Sequence, residues 1–345
     1  MRPRLASPTL VGLLEAGAAL TALFSVVTFF DPLHRLLELL AHFRLQYLVV
    51  AALLTVILGA LRRRRWFVLM LAVTLVDFWP VVSWYVPGRP AAAAPAARLK
   101  LLSVNVWSGN HDTARLLALI RAEAPDLVFL QEVTDEWAAA IGSLADSYPY
   151  RYVIPRNDNF GVALLSRRPF AGVDAIDTPP HDRPSLLAEL DVDGRRVSFI
   201  GTHPMPPLGA AGFDARNRQL AAVAALAAGL DGPVILAGDL NTTMWGDHFG
   251  QLVATSGLEN ARRGFGILPT WPTAYPPAMI PLDHCLVSDD FAVLDMRAGA
   301  RIGSDHLPII VSLALRPDAV LHGDQIVAVH PRRRPPARAT PATRR

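Results

Sequence analysis

Asn105, Glu132, His203, Asp239, Asn241, Asp283, Asp305 and His306 have one trait in common: each stands at or beside the end of a short apolar run. Leu101–Val104 leads to Asn105, Leu127–Leu130 to Gln131-Glu132, and Val197–Ile200 to Gly201-Thr202-His203. Val234–Ala237 leads to Gly238-Asp239-Leu240-Asn241, Leu282-Asp283-His284 opens another run, and Ser304-Asp305-His306 precedes Ile309–Leu315. Carboxylates, amides and imidazoles without thiolates suit a hard, oxygen-liganded cation such as Mg²⁺ or Mn²⁺. Phosphoester hydrolysis needs such a set. The metal neutralises phosphoryl oxygens, a carboxylate orients or deprotonates water, and a protonated group stabilises charge or the leaving oxygen. Any one of these Asn or Asp residues alone would be read as a turn cap. Their recurrence at strand ends instead implies one cleft. A Gly-rich phosphate loop, a Cys/His zinc spacing and a G-x-S-x-G elbow are all missing from the sequence.

The apolar runs predict buried strands, with Phe160–Leu165 as a further one. Helices are predicted over Thr113–Ala122, carrying Leu116, Leu117 and Ile120 and stopped by Pro125, and over Asp214–Leu230. His284, Arg216 and Gln219 read as packing and hydrogen-bonding groups, and Arg167 as either an ion-pair partner or a substrate contact. The single cysteine, Cys285, rules out an internal disulfide and reads as a small buried residue.

Hydrophobic residues make up 52% of the 345, and the excess lies before residue 88. Thr9–Phe30 and Trp66–Val86 are long enough to cross a hydrocarbon core of about 30 Å, and Leu45–Leu61 is marginal alone. Three transmembrane helices are therefore expected within 1–87. Arg2, Arg4 and Arg62–Arg65 outvote Arg35, Arg44 and Arg89 by six to three. The positive-inside rule then puts everything after Val86 outside the cytoplasmic membrane. Asp31-Pro32 reads as an N-cap followed by a first-turn proline, opening a short interfacial helix. Its Leu33, Leu36, Leu37, Leu40 and Phe43 recur at helical spacing, with His34, Glu38 and His42 on another face. Glu15 lies near a span end and is expected to reach headgroups. Asp77 is deeper, and helix pairing and function remain equal readings.

Gly88–Ala97 is a Pro/Ala linker within 88–98, which implies a catalytic domain over 99–316 that can be freed at Arg98 with its soluble-substrate activity intact. From Arg98 to Asp318 there are 18 Lys+Arg against 25 Asp+Glu, a net −7, whereas the flanks carry +10. That segment lacks the basic footprint of a nonspecific duplex-DNA binder. The Pro/Arg-rich tail within 317–345 cannot pack a core and reads as solvated or lipid-contacting.

The ordered series Asn105, Gln131-Glu132, Ser166-Arg167, Thr202-His203, Gly238-Asp239-Leu240-Asn241, Leu282-Asp283-His284 and Ser304-Asp305-His306 resembles the endonuclease/exonuclease/phosphatase (DNase I-like) superfamily over 99–315. The resemblance implies an α/β four-layer sandwich, two packed β-sheets flanked by helices. It implies Glu132 as the main metal ligand with Asn105 beside it and Asp305 near the metal. Asp239 would orient or activate water, and Asn241 would hold water or phosphate. His306 would contact the scissile phosphate with Asp283 fixing its ring, and His203 would bond the phosphate or protonate the leaving group. Whether Asp239 or His306 is the base stays open. The three spans, His203–Pro207 and Pro269–Pro272 are similar to the glycopeptide-resistance membrane proteins of VanJ type. That likeness implies a lipid-linked phosphate or pyrophosphate substrate. An extracytoplasmic nuclease, a phospholipase C-like phosphodiesterase and a non-enzymatic envelope scaffold are the alternatives.

Overall fold

The computed structural model describes residues 9–88 and 97–317; Arg2, Arg4, most of the linker and almost all of the tail lie outside them. Four helices come first: α1 (Leu10–Val27), α2 (Arg35–Ala41), α3 (Arg44–Ala60) and α4 (Arg64–Val82), with 3-10 turns at Thr28–Leu33 and Ser83–Tyr85. Two continuous helical stretches, Leu10–Leu33 and Arg64–Tyr85, are long and apolar enough to cross a membrane. The third expected span is shorter than the other two. α3 reaches that size only when joined to α2 across a 61° bend. Small and apolar side chains (Ala18, Ala51, Leu58, Met70) fill the bundle interior, while Leu20, Leu23, Val56, Leu75 and Phe78 face outward. Asp77 is a helix-pairing group: it accepts from Ser25 Oγ at 2.6 Å and faces Arg44, which also donates to Thr28. Glu15 pairs with Arg63, at the start of α4.

The catalytic part runs β1 (Arg98–Asn105), α5 (Thr113–Glu123), β2 (Leu127–Gln131), α6 (Asp135–Ile141), β3 (Tyr150–Ile154), β4 (Val162–Ser166), β5 (Phe170–Ile176) and β6 (Ser185–Val192). It continues with β7 (Arg195–Gly201), α7 (Gly209–Gly229), β8 (Val234–Asp239), α8 (Asp247–Ser256), β9 (Glu259–Asn260), β10 (Asp283–Val287), β11 (Phe291–Ala298) and β12 (Ile309–Leu315). Two six-stranded sheets result, ordered β11-β12-β1-β2-β4-β3 and β5-β6-β7-β8-β10-β9. Apolar residues on the facing sides, among them Leu101, Phe129, Phe199, Ile235 and Val311, close the core between the sheets. α5 and α6 cover the outer face of the first sheet. α7 and α8 cover the second, and this layer carries its own second cover: Val81, Trp84, Leu45 and Leu48 of the N-terminal helices pack against it. The catalytic part is thus seated on the N-terminal helices by side-chain contact, not only joined to them by the linker.

Polar contacts reinforce that seat. His42 Nδ1 meets Thr243 Oγ1 at 3.0 Å, Gln46 donates to the carbonyls of Met279 (2.9 Å) and Pro277 (3.3 Å), and Trp245 Nε1 donates to the Pro80 carbonyl at 3.0 Å. Asp31 does not cap its own helix. It accepts the Asp247 N–H at 2.8 Å and so caps α8, while the His34 side chain caps α2. Of the polar residues expected on one face of this segment, Glu38 and His42 are turned into the protein and His34 is exposed, as are Leu33 and Leu36.

Candidate active site

β1 and β2 run parallel, as do β7 and β8, so the C-terminal ends of all four meet on one edge of the sandwich. β10 and β12 run antiparallel to β8 and β1, and their first residues arrive at the same edge. Asp283 is the register partner of Asp239. Gly238 makes this convergence possible: its φ is +146°, and a Cβ there would lie 1.9 Å from the Thr202 carbonyl oxygen. Only glycine lets β7 and β8 approach so closely immediately before Asp239.

All eight predicted residues come together. Asn105 Nδ2 donates to Glu132 Oε1 at 2.8 Å and to Asp239 Oδ2 at 3.3 Å, and Asn105 Oδ1 accepts the Trp107 N–H. Asn105 therefore directs its N–H bonds, not its oxygen, at the two carboxylates. Glu132 Oε2 accepts the Ser108 N–H at 3.0 Å, and Glu132 holds a left-handed backbone (φ +60°) that costs roughly 1–3 kcal/mol in a non-glycine residue. Asp239 Oδ2 lies 3.5 Å from both His203 Nε2 and His306 Nε2, and Asp239 Oδ1 accepts the Asn241 N–H. Asp283 Oδ2 meets His306 Nδ1 at 2.8 Å and so fixes the ring. Asn241 donates to the Pro204 carbonyl, and Asp305 accepts from Trp271 Nε1 at 3.0 Å.

Electrostatics divide these groups. Burial alone would lower the pKa of His306, but Asp283 and Asp239 beside it push it up to about 10. Burial likewise opposes the charge on His203, and Asp239 outweighs it in the upward direction. For Asp239 burial raises the pKa, yet the two imidazoles and the Asn241 N–H hold it at about 2. At neutral pH Asp239 is therefore a carboxylate facing the His306 imidazolium, and it favours the charged form of His203 on its other side. Asp305 goes the other way: burial raises it, and Glu132 and Asp239 add to the rise.

Among the described residues, no three His, Cys, Asp or Glu side chains form a ready metal-binding group. The donor set nonetheless fits a hard divalent cation. Glu132, Asp239 and Asp305 interact electrostatically, Asp305 Oδ1 is buried without a hydrogen-bond partner, and no thiolate is near.

Ser166-Arg167 is the exception to the convergent series. Ser166 pairs with Leu127, at the opposite end of β2 from Glu132. Arg167 lies over the Tyr148 ring at 5.3 Å and its N–H goes to the Asp126 carbonyl; it is structural. Cys285 is buried beside the site, and burial pushes its thiol up to about 12.

Sequence reading missed Arg262, fully buried, whose guanidinium donates to the Asp283 carbonyl at 2.6 Å and to those of Ile267 and Leu268. An arginine in an otherwise polar turn gives no signal of that role. His284 supports the site from behind, with Nε2 toward the Thr242 carbonyl (3.0 Å) and Nδ1 toward Asn260 (3.3 Å). This arrangement needs a neutral ring, and burial drives its pKa down to about 3. A histidine depressed in the folded state binds its proton more readily when unfolded. Its share of stability is therefore present above its ordinary pKa of 6.5 and is lost as pH falls toward 3. Thermal unfolding should show His284→Gln losing less stability than the parent between pH 7 and 4. Parallel pH curves would contradict this.

The Endonuclease/Exonuclease/phosphatase family matches residues 102–306. The chain belongs to that family. No curated protein sequence matches it. Among solved structures, an endonuclease/exonuclease/phosphatase from Beutenbergia cavernae DSM 12333 is similar at 24% identity and TM-score 0.54, over 64% of this chain and 72% of that one. TDP2 of D. rerio, in its complex with a single-strand DNA product, is similar at 21% identity and TM-score 0.53, over 63% and 99%. Sphingomyelinase C from Streptomyces griseocarneus is similar at 20% identity and TM-score 0.50, over 64% and 99%. These likenesses establish the family's two-sheet fold for the present chain. The family is named for the cleavage of phosphoester bonds, and the convergence at Asp239 is where this member carries its polar machinery.

Proposed function

We propose that this chain is a membrane-anchored, Mg²⁺- or Mn²⁺-dependent phosphoester hydrolase acting on lipid-linked phosphate or pyrophosphate at the outer face of the membrane. The observation that carries the hydrolase reading is Asp239 held as an anion between His203 and His306. Glu132 and Asp305 would hold the metal, with Asn105 keeping the Glu132 and Asp239 carboxylates in place. When bound, the cation would neutralise charge on the phosphoryl oxygens. Asp239 orients the attacking water; a carboxylate held near 2 aims a water better than it strips a proton from it. His306, locked by Asp283, presents an imidazolium to the scissile phosphate. His203 protonates the leaving oxygen, and Asn241 holds the phosphate.

The lipid-linked substrate is supported by where the rim of the site lies. Gln46, in the first turn of α3, binds the loop that continues from Trp271, and His42 binds Thr243, two residues past Asn241. Leu208 and Tyr275, on the loops that follow His203 and Trp271, are 79% and 72% exposed. Tyr275 stands on the loop that the first turn of α3 binds, and an exposed aromatic there suits a lipid surface. The orientation rests on where the arginines fall. Six arginines at Arg2, Arg4 and Arg62–Arg65 stand against three at Arg35, Arg44 and Arg89, which favours an extracytoplasmic site.

The test is a hydrolysis panel with the full-length protein in detergent micelles and Mg²⁺, on a polyprenyl pyrophosphate, a phospholipid, single-stranded DNA and a soluble chromogenic phosphodiester. Release of phosphate from the polyprenyl substrate, abolished by EDTA, is expected. Glu132→Gln should lower metal affinity and turnover together. Preferential cleavage of single-stranded DNA would replace the lipid reading with the nuclease one, and full activity in EDTA would remove the metal.

A further inference from the structure

Asn241 stands on the loop between β8 and α8, in a left-handed backbone conformation (φ +50°) that must be held by its surroundings. From the sheet side, His284 engages the next carbonyl, that of Thr242. From the other side, Arg216 of α7 donates from Nη1 to the Asn241 carbonyl at 3.0 Å. Arg216 is fully buried, and a buried guanidinium needs an anion. That anion does not come from the catalytic part. It is Glu38 of α2, equally buried, whose Oε1 accepts from Arg216 Nη2 at 2.5 Å and whose Oε2 meets His248 Nδ1 at 2.5 Å. Gly246, at the end of the same loop, is open enough to admit this carboxylate: a Cβ there would lie 3.2 Å from Glu38 Oε1. One α2 side chain thus fixes the arginine that fixes the loop, and His42 grips Thr243 from the same helix.

We propose that Glu38, contributed by the membrane segment, is a positioning residue of the active site, acting through Arg216 on the backbone of Asn241. The proposal rests on Asn241 belonging to the site and is independent of which phosphoester is the substrate. It makes the membrane segment a component of the catalytic machinery as well as an anchor.

The test uses the full chain in detergent micelles, with Mg²⁺ and a soluble chromogenic phosphodiester as probe. Glu38→Ala should lower kcat about tenfold or more, since small misplacements of substrate-holding groups carry large penalties, with KM little changed. Glu38→Gln keeps the volume and an acceptor, so it should fold and recover part of that loss. Asp31→Ala, which breaks another contact of the same interface, should leave kcat within about twofold. Hydrogen exchange supplies a readout that needs no turnover: amides of 240–246 should exchange faster in both Glu38 variants than in Asp31→Ala. Unchanged kcat and exchange in the Glu38 variants would overturn the proposal. So would losses in Asp31→Ala equal to those in Glu38→Ala, because the interface would then act only by stabilising the fold.

Discussion

Asp239→Asn is expected to lower kcat about a thousandfold on a soluble phosphodiester, within the range that a positioned acid-base group contributes. The substitution is nearly isosteric, so the Asn241 N–H bond and the β8–β10 pairing should survive it. What disappears is the anion that His203, His306 and Asn105 all face. Water loses its acceptor, and His306 loses one of the three carboxylates that hold it protonated. The comparison variant is Arg167→Ala, at the far end of β2, which should leave kcat within about twofold. Initial rates with purified full-length protein decide it. An Asp239→Asn enzyme retaining more than about a tenth of parental kcat would remove Asp239 from the centre of the reaction.

The site was legible because its residues terminate buried strands. A strand such as Val234–Ala237 is a continuous apolar run, and a polar residue at its end is conspicuous. Which end of the sandwich a residue reaches is less visible. Ser166-Arg167 stands at a strand end just as Gln131-Glu132 does, but β4 is antiparallel to β2, and pairing direction is not written in either segment. The half-exposed strands β3 and β5 escaped notice because their burial is broken and no apolar run marks them. The N-terminal helices were read for their apolar spacing. Their ionisable residues were harder, since Glu38 on an interfacial helix looks water-facing until Arg216, 178 residues away, is placed beside it. Asp31 misled for the same reason: an Asp-Pro pair signals a local cap, whereas the amide that Asp31 satisfies is on α8.

The Pro/Ala linker suggests a catalytic domain that works when cut free, and the packing points to the opposite result. A fragment beginning at Arg98 is expected to unfold about 10 °C or more below the full chain and to lose at least about tenfold in activity on a soluble phosphodiester. The fragment loses Val81, Trp84, Leu45 and Leu48, which cover the layer formed by α7 and α8. Baring the surface beneath two such side chains costs at most about 3–6 kcal/mol, an upper bound because only Val81 among them is fully buried. That is a large fraction of the roughly 5–15 kcal/mol that holds a domain folded. It also loses Glu38. Breaking a buried ion pair costs about 3–5 kcal/mol, an upper bound here because water can reach Arg216 once α2 has gone. Stability and catalysis should therefore fall together, and on soluble and vesicle-embedded substrates alike. If the fragment matches the full chain in melting temperature and in soluble-substrate turnover, the N-terminal helices support neither the fold nor the catalysis of the rest of the chain. The contacts of Glu38, His42 and Trp84 with the catalytic part would then be incidental to both.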